Sequence, residues 1–358
     1  MKPTILPGLA LTCAIAIAAA LLHQLPFPPF TIGDRHPIDA LLIAILLGMA
    51  ARNLLPLHVS LGPGIKYSVK KVLPFAIVLM GAKLDFFDVL RVSAQALWLS
   101  VLCVAVALGL TVWLCRRAGV GTKLGILIGI GTAICGGTAI VIAAPTIEAE
   151  EKDTAFAIAT ITLFGVGAIF VFPLLGHALG LTQTEFGIWA GVGIQATPQV
   201  MAAGFAYGPQ AGEVAVIVKL VRVLLLAPMV VGLGWWHARE KRARQQAHVA
   251  QKTPLTQLFP PFVLGFLALA VANTLNLLPD FTLHLEKSAF WEAGDRLIAL
   301  SDAVTTISGF LIVIAMAGVG CGVHLKSLLG IGLKGLYVGM FAAVVLAAFS
   351  LGMLKLTG

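Results

Sequence analysis

Stretches of about 20 mostly apolar residues, the length that carries a helix across a bilayer, recur eleven times along this chain, centred near residues 13, 46, 75, 103, 134, 165, 196, 224, 268, 312 and 344. Inside hydrocarbon every backbone amide and carbonyl must find a partner within the protein, so such segments fold as helices. Little polar sequence is left over. The longest connections are HAREKRARQQAHVAQK (237–252) and the stretch around PDFTLHLEKSAFWEAGDR (279–296), each too short for a second folded domain. Charged residues make up 11% of the 358 positions, against about 25% in soluble domains. The expected fold is therefore an all-α polytopic membrane protein with about 11 transmembrane helices, forming a single transmembrane domain over residues 1–358. The opening run MKPTILPGLALTCAIAIAAALL has some features of a cleaved signal. Its full apolar length and the ten segments after it favour a first spanning helix.

The net charge of +8 reports orientation, because Lys and Arg collect in cytoplasmic loops. With the amino terminus inside and eleven crossings, 15 of the 24 Lys and Arg fall on the inner side and 7 on the outer, with Lys219 and Arg222 inside the bilayer. The amino terminus is expected in the cytoplasm and the carboxyl terminus outside. No nucleic-acid partner is needed to explain the basicity. The five cysteines lie in or beside apolar segments without a CxxC spacing, so neither a disulfide framework nor a metal site is expected. No cofactor is implied.

Two of the apolar segments are interrupted. Residues 131–140 read GTAICGGTAI, in which Gly136 and Gly137 weaken the helix by about 1 kcal/mol each relative to alanine, while Thr132, Cys135 and Thr138 supply small polar groups. Close helix packing is the alternative reading of such small residues. Residues 191–204 read GVGIQATPQVMAAG and place Gln195, Thr197, Pro198 and Gln199 at membrane depth. The proline removes a backbone donor and disturbs the turn before it. Paired discontinuous helices near the bilayer midplane recur in secondary transporters, where the positive ends of half-helices suit anionic substrates. Broken helices are expected near 124–147 and 186–206, as the core of the domain, with the remaining helices as its scaffold.

Farther along, EVAVIVKLVRVLLLAPMVVGLGWW (213–236) puts Lys219 and Arg222 on one helical face, deep in an apolar run. Cations at that depth are functional candidates. They suit a bound anion; two other readings are snorkelling to an interface and pairing with Glu148, Glu150, Glu151 or Asp153. Asp302, Thr305, Thr306 and Ser308 are second-rank candidates, since hydroxyls within helices often bond back to carbonyls. Two weak internal likenesses run through the chain. FAIVLMGAKLDFFDVL (75–90) matches FLIVIAMAGVGCGVHLKSLL (310–329), and GIGTAICGGTAIVIAA matches AGVGIQATPQVMAAGF.

With GTAICGGTAI, the following AIATITLFGVGAIFVFPLLG (157–176), and the VKLVR and AP of 218–228, the chain from about residue 35 onward resembles the YeiH-like family of proposed sulfate exporters. That resemblance implies a bacterial inner-membrane protein related in fold to sodium/proton antiporters and bile-acid symporters, with crossed broken helices beside a panel domain. Many members of that family carry a histidine where this chain has Gln195, and an amide cannot titrate.

The function expected is secondary transport of a small anion, such as sulfate, an organic sulfonate or a carboxylate, by alternating access. Thr132, Cys135, Gly136, Gly137 and Thr138 line one side of the site; Gln195, Thr197 and Gln199 line the other, with Lys219 and Arg222 supplying positive potential. The chain has no P-loop, so the energy source is an ion gradient through a proton or sodium ion, a substrate gradient, or a partner ATPase. A homodimer is compatible with an exposed scaffold face. The alternatives are a cation/proton antiporter, which would place carboxylates in the broken segments, and an anion channel. An intramembrane enzyme using Cys135 with His177 or His324 is not expected, because neither HExxH nor GxSxG occurs.

Overall fold

The computed structural model describes residues 4–25, 40–243, 261–285, 294–323 and 333–357. The chain is helical almost throughout: α1 (Leu6–His23), α2 (Ala40–Leu54), α3 (Gly62–Tyr67), α4 (Leu73–Met80), α5 (Phe86–Arg117), α6 (Thr122–Ala133), α7 (Gly137–Thr146), α8 (Glu151–Ala178), α9 (Gln183–Gly193), α10 (Thr197–Tyr207), α11 (Pro209–Leu224), α12 (Leu226–Ala243), α13 (Pro261–Thr274), α14 (Leu300–Gly322) and α15 (Leu333–Thr357). Pro7, Pro63, Pro74, Pro198 and Pro209 each fall in a first turn, where the missing donor leaves no helical bond unmade.

Six helical runs among the described residues are long and apolar enough to cross a membrane: Leu6–His23, Phe86–Arg117, Glu151–Ala178, Pro209–His237, Leu300–Gly322 and Lys334–Leu356. The other five expected centres, near 46, 75, 134, 196 and 268, fall on shorter or interrupted helices. These are α2; α3 and α4 with the π-helical turn Ser68–Val72 between them; the pair α6/α7; the pair α9/α10; and α13.

The expected all-α class holds, and one connection adds a short ribbon. β1 (Asp280–Leu285) and β2 (Gly294–Ala299) form an antiparallel ribbon in which Asp280 faces Ala299 and Leu285 faces Gly294. FTLHL alternates apolar and polar residues, the period of a strand, within what the sequence reading treats as a loop.

The chain divides into two compact units: residues 1–91 with 260–322, and residues 92–259 with 323–358. In the first, α14 packs on α1, α2 and α4, and α13 on α4. Gly48 and Gly320 make the α2–α14 crossing possible, since a β-carbon on either would overlap the backbone of the other helix. The Ser308 hydroxyl donates to the Ala76 carbonyl at 2.7 Å, while Thr305 and Thr306 bond back to the carbonyls of Ser301 and Asp302. These hydroxyls serve packing and helix.

The second unit is built around α9 and α11, whose buried faces meet. Phe186–Gly193 is buried at every position. The Trp189 ring stacks on Phe172 at 4.3 Å and its indole N–H donates to the Ala347 carbonyl at 2.8 Å. Phe186 stacks on Tyr207, and Tyr207 on His177. At the polar start of α9, Thr182 and Glu185 form a capping box, and Glu185 also accepts from the Lys355 ammonium at 2.6 Å. That ammonium and the amide and hydroxyl of Thr182 lower the Glu185 carboxyl from its ordinary 4.5 to about 2.

A depressed carboxylate stabilises the fold fully above its unfolded value and ceases to do so as pH falls through its folded one. Glu185→Gln should therefore lower stability by about 1 kcal/mol or less at neutral pH. The gap to the parent chain should close as pH drops from about 4.5 towards 2, as read by thermal unfolding across that range.

Candidate functional site

Both expected breaks are present, and they meet. The first helix stops at Ala133; Ile134 leaves helical geometry (φ −117°, ψ −89°), and Gly136 adopts φ +71°, ψ −130° before α7 begins at Gly137. Only glycine enters that region without strain. Gly137, by contrast, is an ordinary first helical residue, and a β-carbon there would meet nothing nearer than Ile158 at 3.8 Å. The interruption is thus carried by Gly136. In the second break α9 stops at Gly193, Ile194 and Ala196 are extended, and α10 starts at Thr197 with Pro198 in its first turn. A β-carbon on Gly136 would lie 3.3 Å from the Ala196 β-carbon.

Each break leaves the last carbonyls of one half-helix and the first amides of the next without helical partners. The carbonyl ends are sealed by α11. The Lys219 ammonium donates to the carbonyls of Ile134 (2.7 Å), Ile194 (3.0 Å) and Gln195. The Arg222 guanidinium donates to Ala133 (2.9 Å), Thr132 (2.9 Å), Gly191 (2.7 Å), Ile194 (3.0 Å) and Val192. Both side chains are 0% exposed. A helix carboxyl end carries about −0.5 of an elementary charge, so two such ends converging on two cations compensate much of the cost of burial. Snorkelling is ruled out by this geometry, and so is pairing with the acidic loop. Glu150 pairs instead with Lys152 at 2.7 Å, and the Glu148 carbonyl accepts from Lys123.

The amino-terminal ends are open. Apart from the Gln199 bond to the Ala196 amide and the Cys135 sulfur at the Ala139 amide, no side chain caps the start of α7 or α10, and no acceptor for the Gly137, Thr138 or Thr197 amides occurs among the described residues. Thr138 is exposed, while Gly137, Ala196, Thr197 and Pro198 are half-buried. Cys135 is buried, its sulfur beside the Ala139 amide. Buried cysteine in such a place acts as a small apolar residue.

The remaining candidates separate in the same way. Gln199 spends its carboxamide on the protein: Oε1 accepts from the Ala196 amide at 3.1 Å and Nε2 donates to the Thr162 carbonyl at 3.4 Å, with the side chain filling the space over Gly165. Gln195 is 2% exposed, and its Oε1 has no partner among the described residues. The Thr132 hydroxyl is buried and unpartnered as well, as is that of Thr160 on α8, which the sequence reading passes over. Thr160 lies in TITLFG one turn before Gly165, and its hydroxyl in an apolar helix is the signal that could have marked it. His177 belongs to the aromatic stack, and His324 lies outside the described residues.

Six long apolar helical runs among the described residues define a polytopic helical membrane protein. Comparison with known sequences gives the family. The family described as Conserved hypothetical protein 698 matches residues 7–339. A UPF0324 membrane protein of Agrobacterium fabrum is 32% identical over 99% of this chain and 93% of its own length. One from Bradyrhizobium diazoefficiens is 36% identical over 92% of this chain and 86% of its own. Another, from Nitratidesulfovibrio vulgaris, is 32% identical over 90% and 92%. The chain belongs to this UPF0324 family, the YeiH-like membrane proteins.

Proposed function

We propose that this chain is a secondary transporter of a small anion, held at the open amino-terminal ends of α7 and α10. The observation that carries the reading is electrostatic. Lys219 and Arg222 bring positive charge into the core of the second unit, and every partner of theirs among the described residues is a carbonyl. The two carboxyl-end and two amino-end dipoles, about half a charge each, cancel in sum. What remains at the crossing is a net positive charge, with the amide ends facing outward.

Cation/proton antiport needs a carboxylate at such a crossing to bind and release its ions. Residues 131–140 and 191–200 contain none. Helix amino ends hold sulfate, a sulfonate or a carboxylate without a charged side chain in contact. Lys219 and Arg222 then act through their field and by fixing the half-helices, while the Gly137, Thr138 and Thr197 amides and the two threonine hydroxyls face the ligand. Gln195 cannot carry a coupling proton. The setting proposed is a bacterial inner membrane crossed eleven times, with the amino terminus cytoplasmic and the carboxyl terminus periplasmic.

The test is made in two parts on purified protein. Sulfate, sulfite, thiosulfate, small sulfonates, bicarbonate and dicarboxylates are screened by thermal shift, where a ligand at 100 times its Kd stabilises by about 2.7 kcal/mol. The best binder is then taken to counterflow in proteoliposomes and used to protect Thr138→Cys from a methanethiosulfonate reagent. Saturable counterflow and protection are expected. If no anion stabilises the protein and none shields the cysteine, the reading is wrong; unsaturable conduction would make it a channel.

A further inference from the structure

Where α6 and α9 end, three backbone carbonyls converge on one point. The oxygens of Ile134 (2.7 Å), Ile194 (3.0 Å) and Gln195 surround the Lys219 ammonium, each within hydrogen-bond reach. Three acceptors use all three N–H groups of an ammonium, whereas a neutral amine has only two hydrogens to share among them. The side chain is 0% exposed, and no carboxylate is among its partners in the described residues.

Backbone oxygens grouped in this way are also how proteins hold a dehydrated monovalent cation. Rings of carbonyls replace the water shell of potassium, and unwound carbonyls at half-helix carboxyl ends coordinate sodium in transporters. An ammonium group and a potassium ion are close in size and carry the same charge. The Lys219 stem, running in from α11, therefore delivers to this cage what a free cation would otherwise bring. Arg222 engages the neighbouring carbonyls of Thr132, Ala133, Gly191 and Val192 in the same manner, and a second cation would meet the charge of that guanidinium.

We infer that the three carbonyls form a monovalent-cation site filled by the chain's own ammonium, so that the protein needs no sodium or potassium to hold the crossing together or to bind its anion. The part about the anion rests on the transport reading given above; the part about the cage does not.

Lys219→Ala removes the tether and leaves the oxygens. In N-methyl-D-glucamine chloride this variant should melt well below the parent chain. Replacing that salt by potassium, ammonium or n-propylammonium chloride at equal ionic strength should raise its melting point by about 4 °C at about tenfold excess over Kd. Propylammonium matches the deleted atoms, and rubidium-86, a stand-in for potassium, should bind the variant saturably. The parent chain should melt alike in all of these salts and in sodium chloride, and should bind no rubidium. Lys219→Met loses the same bonds but keeps the path of the tether filled, so no cation should help it. Lys219→Ser is the second cage-opening variant. If the alanine and serine variants melt alike in every salt, or are recovered in none, the carbonyls do not form a cation site and the inference falls. A parent chain that sodium or potassium stabilises, or that binds rubidium, overturns it as well. The affinity of the parent chain for the best anion of the screen is then compared in sodium, potassium and N-methyl-D-glucamine salts. Equal affinities are expected, and a need for sodium or potassium would overturn the inference. No anion binding in any of them would count against the transport reading and leave the cage result standing.

Discussion

Arg222→Leu should destabilise the protein by at least about 3 kcal/mol, and protein that survives should not transport. The guanidinium is bonded to carbonyls of both broken segments, and each buried carbonyl left without a partner costs about 1–3 kcal/mol unless water reaches it. Leucine fills part of the volume and replaces none of the donors. Arg222→Lys keeps the charge, yet a single ammonium cannot reproduce the fork that spans Thr132 and Ala133 on one side and Gly191 and Val192 on the other. It should fall between the two. Lys219→Met should behave like Arg222→Leu on a smaller scale, because the carbonyls of Ile134 and Gln195 lose their donor while that of Ile194 keeps Arg222. Thermal unfolding in detergent, followed by the loss of the monodisperse peak, measures all three. Parent-like melting of Arg222→Leu would mean that the charge does not hold the crossing together.

The second large effect is expected at Gly136, and the contrast with its neighbour makes it specific. At φ +71° and ψ −130° a side chain is strained by about 1–3 kcal/mol, and here it also meets the Ala196 β-carbon at 3.3 Å. Gly136→Ala should lower stability by that amount or turn the break into a different one, with anion binding lost. Gly137→Ala should be neutral or slightly stabilising, since the residue has helical geometry and free space beside it. Thermal shift with and without the bound anion separates the two variants. If both behave alike, the conformation assigned to Gly136 is not the one that matters.

The positions of the interruptions were readable because glycine, proline and glutamine have few uses in lipid. Gly136–Gly137 and Gln195–Thr197–Pro198 flank the residues where the helices stop. Which glycine carries the break was not readable, since helix propensity treats both alike and φ depends on where the chain must turn next. Lys219 and Arg222 stood out by depth. Their partners did not: backbone carbonyls have no sequence signature, and a three-residue spacing on one face says nothing about which helix ends they will meet. Gln199 was misleading for the same reason, as a glutamine spent on its own cap reads like one offered to a ligand. The segments that resemble one another in sequence fall in the same unit. Residues 73–80 pack on α14 inside the first unit, and the two breaks approach each other at Gly136 and Ala196 inside the second.

The hydrogen bonds of α11 also decide what is free to move. Lys219 and Arg222 tie residues 132–134 and 191–195 to one unbroken helix, so the carboxyl ends of α6 and α9 form a single rigid piece with it. Neither half-helix can slide without breaking several charge-assisted bonds at once. On the proposed transport reading, a cycle that exposes an anion first to one side and then to the other must carry this piece intact, by displacing the whole unit or by swinging α7 and α10 about Gly136 and Ala196. A crosslink within the piece should then leave transport running, whereas one that immobilises α7 against α10 distinguishes the two routes.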